Sequence, residues 1–398
     1  MHGGVYHSNV SFVSVNSGLQ SFKFFMRTEI LFQVDISKID NLRHVLQFIP
    51  QILDSKQVKL LEVSKDTLEY INSGECLFIK GNEDAHVIIC SNSNSFELKE
   101  AETSNSMLLM PSLLQGTLIE DTGSRTLKKQ EVFGVYHTYY EMRLIRPKLQ
   151  SLRNALAKYP YRGKNSEVIK EAVGQSFTEL KVMIQASEEE IINQLQEMPA
   201  AKVRGKWRLL DVGFLFGWVS YLDSILREKK LSLEEVTLAN IENWMGLYDT
   251  EDINAKCISL FMEVDGNSLR WKPEAVSQLF ALYLLPELRA FDSKDFFTAW
   301  QQSMPVGVMT NEEHLNGVAL VDYDSNPSLV KYLPEFELPE EINERLDILF
   351  RNRAKWTLQS ITPYVQPLTD NNLNVAALLT KYARSSTING VKYYSSKY

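Results

Sequence analysis

The sequence predicts an α+β chain, with an N-terminal β-barrel-like domain followed by tandem winged-helix domains. Three observations predict it. Short apolar runs broken by Asn, Asp and Gly fill residues 29–135, a texture of short strands and tight turns. Helical patterns with N-terminal capping residues take over from about 136. In that second part the same order of elements recurs: a leading helix, a short second helix, a capped third helix and a hairpin. Three helices and a two-stranded wing describe a winged helix, a variant of the helix-turn-helix.

In chain order, residues 1–25 are rich in Ser, Asn and Gly and read as a flexible tail without a role in the fold. Residues 26–135 form the β-rich domain. Leu77-Phe78-Ile79-Lys80 leads through Gly81–Asp84 into His86–Cys90, a hairpin signal. After a polar turn, Phe96-Glu97-Leu98 alternates, and Met107–Met110 ends at Pro111. Several such strands suggest a small barrel or sandwich, and 112–130 reads as a surface loop.

The first winged helix is expected over 136–212, with helices at 147–158, 177–185 and 188–197 followed by a strand from Lys202 to Leu209. Residues 213–334 are expected to hold a second, enlarged or double, with Leu269–Lys272 and Val318–Val321 as wing strands. Capping-box spacing, in which one side chain and the carboxylate three residues on satisfy backbone donors, occurs at Ser187…Glu190, Ser232…Glu235 and Thr310…Glu313. Residues 335–398 make the last, DNA-contacting unit. Its helix 340–355 carries the apolar stripe Ile342, Leu346, Leu349 and Phe350. Acids at its start and bases at its end suit the helix dipole. A short helix from Thr357 ends at Pro363, the third helix spans 374–385, and Ile388-Asn389-Gly390-Val391 turns the wing.

Composition narrows the function classes. With 44% apolar and 23% charged residues in 398, the chain suits several globular domains. Charges interrupt every apolar run before the roughly 18 residues that a membrane span needs. Cys76, Cys90 and Cys257 are odd in number and form no CxxC, which points to a reducing compartment and away from disulfides or zinc. The histidines (His2, His7, His44, His86, His137 and His314) never adopt metal-ligand spacing. Gly163-Lys164-Asn165-Ser166 resembles the end of a phosphate-binding loop, but Lys158 stands where the first glycine is needed. No GxGxxG, GxSxG or HExxH is present, so no enzyme, metal or cofactor is expected. Phe24-Phe25 lacks the aliphatic anchor of a sliding-clamp peptide, since Ser21 occupies that position.

The net charge of −8 gives no global basic signature, so nucleic acid must be met by a local patch. Residues 372–398 contain Lys381, Arg384, Lys392 and Lys397 and no acid, which leaves −12 on the other 371 residues. On helix 374–385, Val375, Leu378, Leu379 and Tyr382 share the core face. Ala377, Thr380, Lys381 and Arg384 lie opposite, at about 100° per residue. These cations and Thr380, with Lys392 on the wing and Lys397 beyond it, are the expected DNA contacts. A second patch is expected on the strand from Lys202. Alternation puts Lys202, Arg204, Lys206 and Arg208 on one side and Val203, Trp207 and Leu209 on the other. Trp300 and Trp356 sit in apolar contexts and read as core anchors.

Ala377–Ser386 with Asn389–Lys392 resembles the C-terminus of the defective-in-sister-chromatid-cohesion protein 1 family. Leu77–Cys90, Glu131–Gly134, Arg146–Leu149, Gln185–Ile191, Ala299–Ser303 and Gly317–Asp322 agree in the same order, so the match runs over roughly residues 60–398. The resemblance implies a nuclear, non-catalytic subunit of the alternative, cohesion-linked replication factor C clamp loader. Its implied partners are chromosome transmission fidelity proteins 18 and 8, the replication factor C small subunits, DNA polymerase epsilon, DNA and, indirectly, the sliding clamp. The N-terminal domain would complete a β-barrel assembly with partner subunits. A winged-helix transcription regulator and a pure protein-docking scaffold are the alternative readings.

Overall fold

Gly134–Ile145 places Val135, Tyr136, Thr138, Tyr139 and Tyr140 in one run. Aromatic and β-branched side chains fit a pleated surface, and this run is a strand at the centre of the N-terminal sheet. The helical part therefore begins after residue 145, not at 136. The computed structural model describes residues 12–17, 20–27, 42–48, 58–81, 87–109, 126–164, 173–266, 268–286, 290–369 and 373–397. Met1–Pro147 with Gln185–Glu189 make one unit, and Lys148–Ile184 with Glu190–Tyr398 make the other.

The first unit contains β1 (Phe12–Ser17), β2 (Gln20–Arg27), β3 (Leu42–Phe48), β4 (Val58–Glu62), α1 (Lys65–Asn72), β5 (Phe78–Lys80), β6 (Ile88–Cys90), β7 (Ser95–Leu109), β8 (Thr126–Val132) and β9 (Gly134–Ile145). Sheet order is β1-β2-β4-β9-β7-β6-β5, with β3 and β8 a separate parallel pair. The five strands from β4 to β5 curl into a half-barrel. The expected hairpin is present, with Phe78 opposite Cys90 and Lys80 opposite Ile88. Phe96–Leu98 and Met107–Leu109 belong to one strand, because an irregularity between Glu102 and Met107 lets β7 stay paired with β9. Leu61, Val63 and Ile89 form the buried centre, packed by Leu68, Leu98, Tyr140 and Met142.

Two expectations change here. Residues 12–17 and 20–25, read as part of the tail, belong to β1 and β2, and β2 runs parallel to β4; Phe12, Val13, Val15, Phe22, Phe24 and Phe25 supply the β-forming character. Residues 126–130, read as loop, belong to β8. The remainder of that loop, 112–125, lies outside the described residues.

Among the described residues of the second unit the order helix, helix, helix, hairpin occurs four times, a 3-10 turn standing for the third helix in one of them. The first set is α2 (Gln150–Ala157), α3 (Phe177–Met183), α4 (Glu188–Glu197), β10 (Ala200–Val203) and β11 (Lys206–Leu209). The second is α5 (Val212–Lys229), α6 (Leu238–Met245), α7 (Glu251–Phe261), β12 (Met262–Asp265) and β13 (Ser268–Trp271). The third is α8 (Pro273–Leu284), β14 (Ala290–Asp292), α9 (Ser293–Ser303), a 3-10 turn Glu312–Leu315, β15 (Ala319–Asp322) and β16 (Leu329–Tyr332). The fourth is α10 (Ile342–Asn352), β17 (Trp356–Thr357), α11 (Leu358–Val365), α12 (Val375–Tyr382), β18 (Arg384–Ile388) and β19 (Val391–Ser395). In the third and fourth sets the sheet orders match, β14-β16-β15 and β17-β19-β18.

Residues 213–334 thus hold two sets. The third set leaves a weak sequence pattern because its third helix shrinks to a single 3-10 turn, too short to show periodicity. A continuous core from Tyr161 through Trp218, Phe280 and Trp300 to Val330 joins the first three sets. Leu320, Leu346, Leu349, Trp356, Tyr364, Leu378 and Tyr394 form the core of the fourth. Trp300 and Trp356 are both buried anchors, as their contexts predict.

Local signals were partly exact in their meaning. Ser232 and Glu235 do make a capping box, around a 3-10 turn. The cap near 310 is Asn311, whose side chain accepts from the Glu313 N–H, while Thr310 instead donates to Gln301. Helix α10 begins later than expected, with the Glu341 carboxylate accepting from the Glu344 N–H. Pro363 lies inside α11 rather than at its end.

Candidate nucleic-acid interface

Helix α12 starts because Asn374 accepts a hydrogen bond from the Ala377 N–H at 2.9 Å, which satisfies one of the free donors of the first turn. Val375, Leu378 and Leu379 are buried, and Ala377, Thr380 and Lys381 are exposed on the other side. That division matches the periodicity of the sequence. The helix, however, stops at Tyr382. Ala383 is buried and extended, and Arg384 opens β18. Arg384 therefore sits on the wing, not on the helix. Ser385, Ser386, Thr387 and Ile388 follow it, residues with poor helix propensity and, for the last two, β-branched side chains.

The wing turns at Asn389 and Gly390, whose φ values are 49° and 80°. Two consecutive positive φ angles make the tight turn that suits a twisted hairpin, and Asn-Gly tolerates them best. Register then fixes which cations share a face. Ser385 lies opposite Tyr394 and Thr387 opposite Lys392. Side chains alternate along a strand, so Lys392 shares the face of buried Tyr394, and its Nζ lies 5.2 Å from that ring's centre. Arg384, opposite Ser395, projects from the other face. The four cations do not form one surface. Lys397 is committed locally, because its Nζ donates to the Lys381 carbonyl at 2.6 Å. It places positive charge at the end of α12, where the helix dipole favours it.

The second patch is built differently from the expected strand. Residues 202–209 are not one strand but a hairpin turning at Arg204 (φ 49°) and Gly205 (φ 82°). Ala201 pairs with Arg208, Lys202 with Trp207 and Val203 with Lys206. The turn reverses the alternation, so Lys202 shares a face with Trp207 while Lys206 and Arg208 share the opposite one. Arg208 is 6% exposed. Its Nε donates to the Tyr159 carbonyl at 2.9 Å and its Nη2 to the Pro160 carbonyl at 2.8 Å. Lys206 pairs with Glu179 at 2.9 Å. Glu179 also accepts from the Ser176 N–H at 2.6 Å in a capping box. These backbone and side-chain contacts with Ser176, and then Lys206, hold its carboxyl down at about 2. Two of the four cations are thus structural. Lys202 and Arg204 remain exposed.

A cleft of about 350 Å³ opens between the third and fourth sets, lined by Glu312, Glu313, Arg353, Trp356, Ser360 and Tyr364 among others. Its polar groups are engaged. Arg353 donates to the Val321 carbonyl, Tyr364 to the Ala319 carbonyl, and Gln359 to Glu313. No group of three His, Cys, Asp or Glu placed to hold a metal occurs among the described residues, and no described helix is long and apolar enough to cross a membrane.

Comparison with known proteins bears on this arrangement. The family model described as sister chromatid cohesion protein Dcc1 matches residues 58–365. The chain belongs to the Dcc1 family. Human sister chromatid cohesion protein DCC1 is 33% identical over 345 residues, covering 85% of this chain and 88% of the human one. The Xenopus laevis protein of the same name is 32% identical over 361 residues, 89% and 92% of the two chains. That of Saccharomyces cerevisiae is 20% identical over 367 residues, 82% and 93%. The Dcc1 family model spans the half-barrel and the first three helical sets and ends with α11. Helix α12 and its wing follow the matched region.

Proposed function

We propose that this Dcc1-family chain acts in sister chromatid cohesion as a non-catalytic, nuclear subunit of the alternative replication factor C clamp loader. In this reading the half-barrel is the assembly domain for chromosome transmission fidelity proteins 18 and 8. They connect it to the replication factor C small subunits and, through them, to the sliding clamp. The four helical sets act as winged helices that meet DNA and DNA polymerase epsilon. Family membership over 58–365 supports the cohesion role.

The observation that carries DNA contact is the exposed Thr380–Lys381 face of α12 with Lys392 on the wing, in a segment of four cations and no acid. Small and hydroxylated side chains beside a cation let a phosphate backbone approach closely. Two phosphate contacts make log K fall with log salt at a slope of about −2, a modest, sequence-independent attachment suited to an accessory subunit. The test is duplex binding by the full chain across salt, wild type against Lys381→Glu/Lys392→Glu. Salt-dependent binding that the double variant loses is the expected result. Absence of binding by the wild type overturns the reading.

Protein docking is the better reading for the first helical set. Its third helix opens with Glu188, Glu189 and Glu190, which repel phosphate. Val182 is 81% exposed on α3, with Met183 beside it also exposed, and such apolar exposure suits a protein surface.

A further inference from the structure

The wing strand β18 has a property that DNA contact does not require. All five residues from Arg384 to Ile388 are exposed, and β18 is the outer strand of its sheet, paired among the described residues only with β19 in the order β17-β19-β18. Within it, Arg384 stands three residues before Thr387, and no acid occurs between 372 and 398. An extended, accessible segment with a cation at that distance from a hydroxyl presents what a basic-directed Ser/Thr kinase needs. The guanidinium offers a charge handle and the strand offers an open backbone edge. Thr387 is also placed where a new charge has an effect. It pairs directly with Lys392, and directly opposed residues hold their Cβ atoms about 5 Å apart.

We propose that Thr387 is a phosphorylation site, and that its phosphate pairs with Lys392 and withdraws the wing from DNA. The Thr387 Oγ attacks the γ-phosphorus of ATP, the bond to the β-phosphate oxygen breaks, ADP leaves, and the hydroxyl proton passes to the kinase's base. The product carries about −1.5 to −2 charge at neutral pH, enough to cancel up to half of the +4 on residues 372–398. The consequence for DNA rests on the reading in the preceding subsection; the modification itself does not.

The experiment treats the full chain with the catalytic subunit of cyclic-AMP-dependent protein kinase and Mg-ATP, and maps the phosphate by peptide mass spectrometry. Phosphate at Thr387 is expected, absent in Thr387→Val and at least tenfold slower in Arg384→Ala. No incorporation, or incorporation only at Ser385 or Ser386, overturns the site. Phosphorus NMR then follows the second ionisation of the phosphothreonine, ordinarily near pH 6. Pairing lowers its midpoint, and Lys392→Ala restores it; an unshifted midpoint overturns the pairing. The purified phosphoprotein is expected to bind a short DNA duplex about tenfold more weakly, with a salt slope shallower by about one. Equal binding by both forms overturns the regulatory step. If the unmodified chain binds no DNA while Thr387 is phosphorylated and paired, it is the DNA reading that fails and the modification site that stands.

Discussion

The phenolic oxygen of Tyr161 lies 2.9 and 2.8 Å from the two carboxylate oxygens of Asp249, and both residues are buried. Tyr161 follows α2, whereas Asp249 precedes α7, so this contact ties the first helical set to the second. The N–H groups of Thr250 and Lys164 also reach the same carboxylate. Removing only the phenol oxygen leaves a buried anion short of a donor, which costs about 1.5–3 kcal/mol for a charged hydrogen bond. Tyr161→Phe is expected to lower the unfolding free energy by that amount. A change below about 0.5 kcal/mol in urea unfolding contradicts the account.

Arg345 makes a comparable but larger demand. Its side chain is 3% exposed. It donates to the carbonyls of Pro339 at 2.6 Å, Leu338 at 2.9 Å and Tyr364 at 2.7 Å, and to Glu335 at 2.8 Å. The planar fork thereby fixes residues 335–339, which connect the third and fourth sets, against α11. Arg345→Leu strands three carbonyls and a carboxylate, so a loss of about 3–5 kcal/mol is expected. Lysine, lacking the fork, recovers little of it. Hydrogen exchange checks the location: amides of 335–346 exchange faster in the variant, and unchanged protection there excludes the role.

How much of this was legible follows from what each residue needs. Val375, Leu378 and Leu379 announced the buried face of α12 because periodicity records burial directly. Phe78–Lys80 and Ile88–Cys90 announced a hairpin through their polar turn. Arg384 was misplaced by three residues of helix end, since boundaries depend on the buried Ala383 and on strand pairing that no local pattern encodes. Arg208 was misread for a related reason. A cation on an apparent strand reads as solvent-facing, and only the turn at Arg204-Gly205, with the carbonyls of Tyr159 and Pro160, shows it to be internal. The family resemblance pointed to a cohesion protein; the faces of its cations follow from strand register.

That reassignment of Arg208 has a measurable consequence. Arg208→Ala removes two charge-assisted bonds and the packing of the guanidinium over Tyr161, whose ring centre is 5.2 Å from its Cζ. The expected cost is about 3 kcal/mol of stability. Lys202→Ala, at an exposed position, is expected to stay within about 0.5 kcal/mol of wild type. Chemical denaturation of the two variants distinguishes them, and equal stabilities contradict the buried role.

Acid sensitivity is expected at the third set's hairpin. Asp322 accepts from Lys331 Nζ at 2.7 Å and from Ser325 Oγ at 2.7 Å. These bonds, with Lys331 the larger influence, hold its carboxyl down at about 2. A depressed acid contributes stability that is complete above the unfolded value near 4 and is lost as pH falls through the folded value. The contribution should therefore fade between about pH 4 and pH 2. Carbon NMR of the Asp322 carboxyl gives the midpoint directly, and Lys331→Met is expected to raise it toward the ordinary range. A midpoint already near 4 in the wild type contradicts the pairing.

The wing register makes a last prediction, which separates two cations that the sequence treats alike. Lys392 and Arg384 each carry one charge in the same acid-free segment, so a purely electrostatic patch makes their reversal equivalent. The structure does not treat them as equivalent. Lys392 shares the face of Tyr394, against which the helices pack, whereas Arg384 leaves the opposite face of the sheet. A duplex that lies on the exposed side of α12 meets Thr380 and Lys381 on the helix and reaches the wing from the helix side. Lys392→Glu is therefore expected to weaken duplex binding by the full chain about tenfold and to reduce the salt slope by about one. Arg384→Glu should weaken binding by less than half as much on a logarithmic scale, through long-range charge alone, and more weakly still above the salt where the Debye length falls below about 8 Å. Equal losses at high salt indicate that DNA wraps both faces of the wing, and a larger loss for Arg384→Glu reverses the assignment of the contacting face.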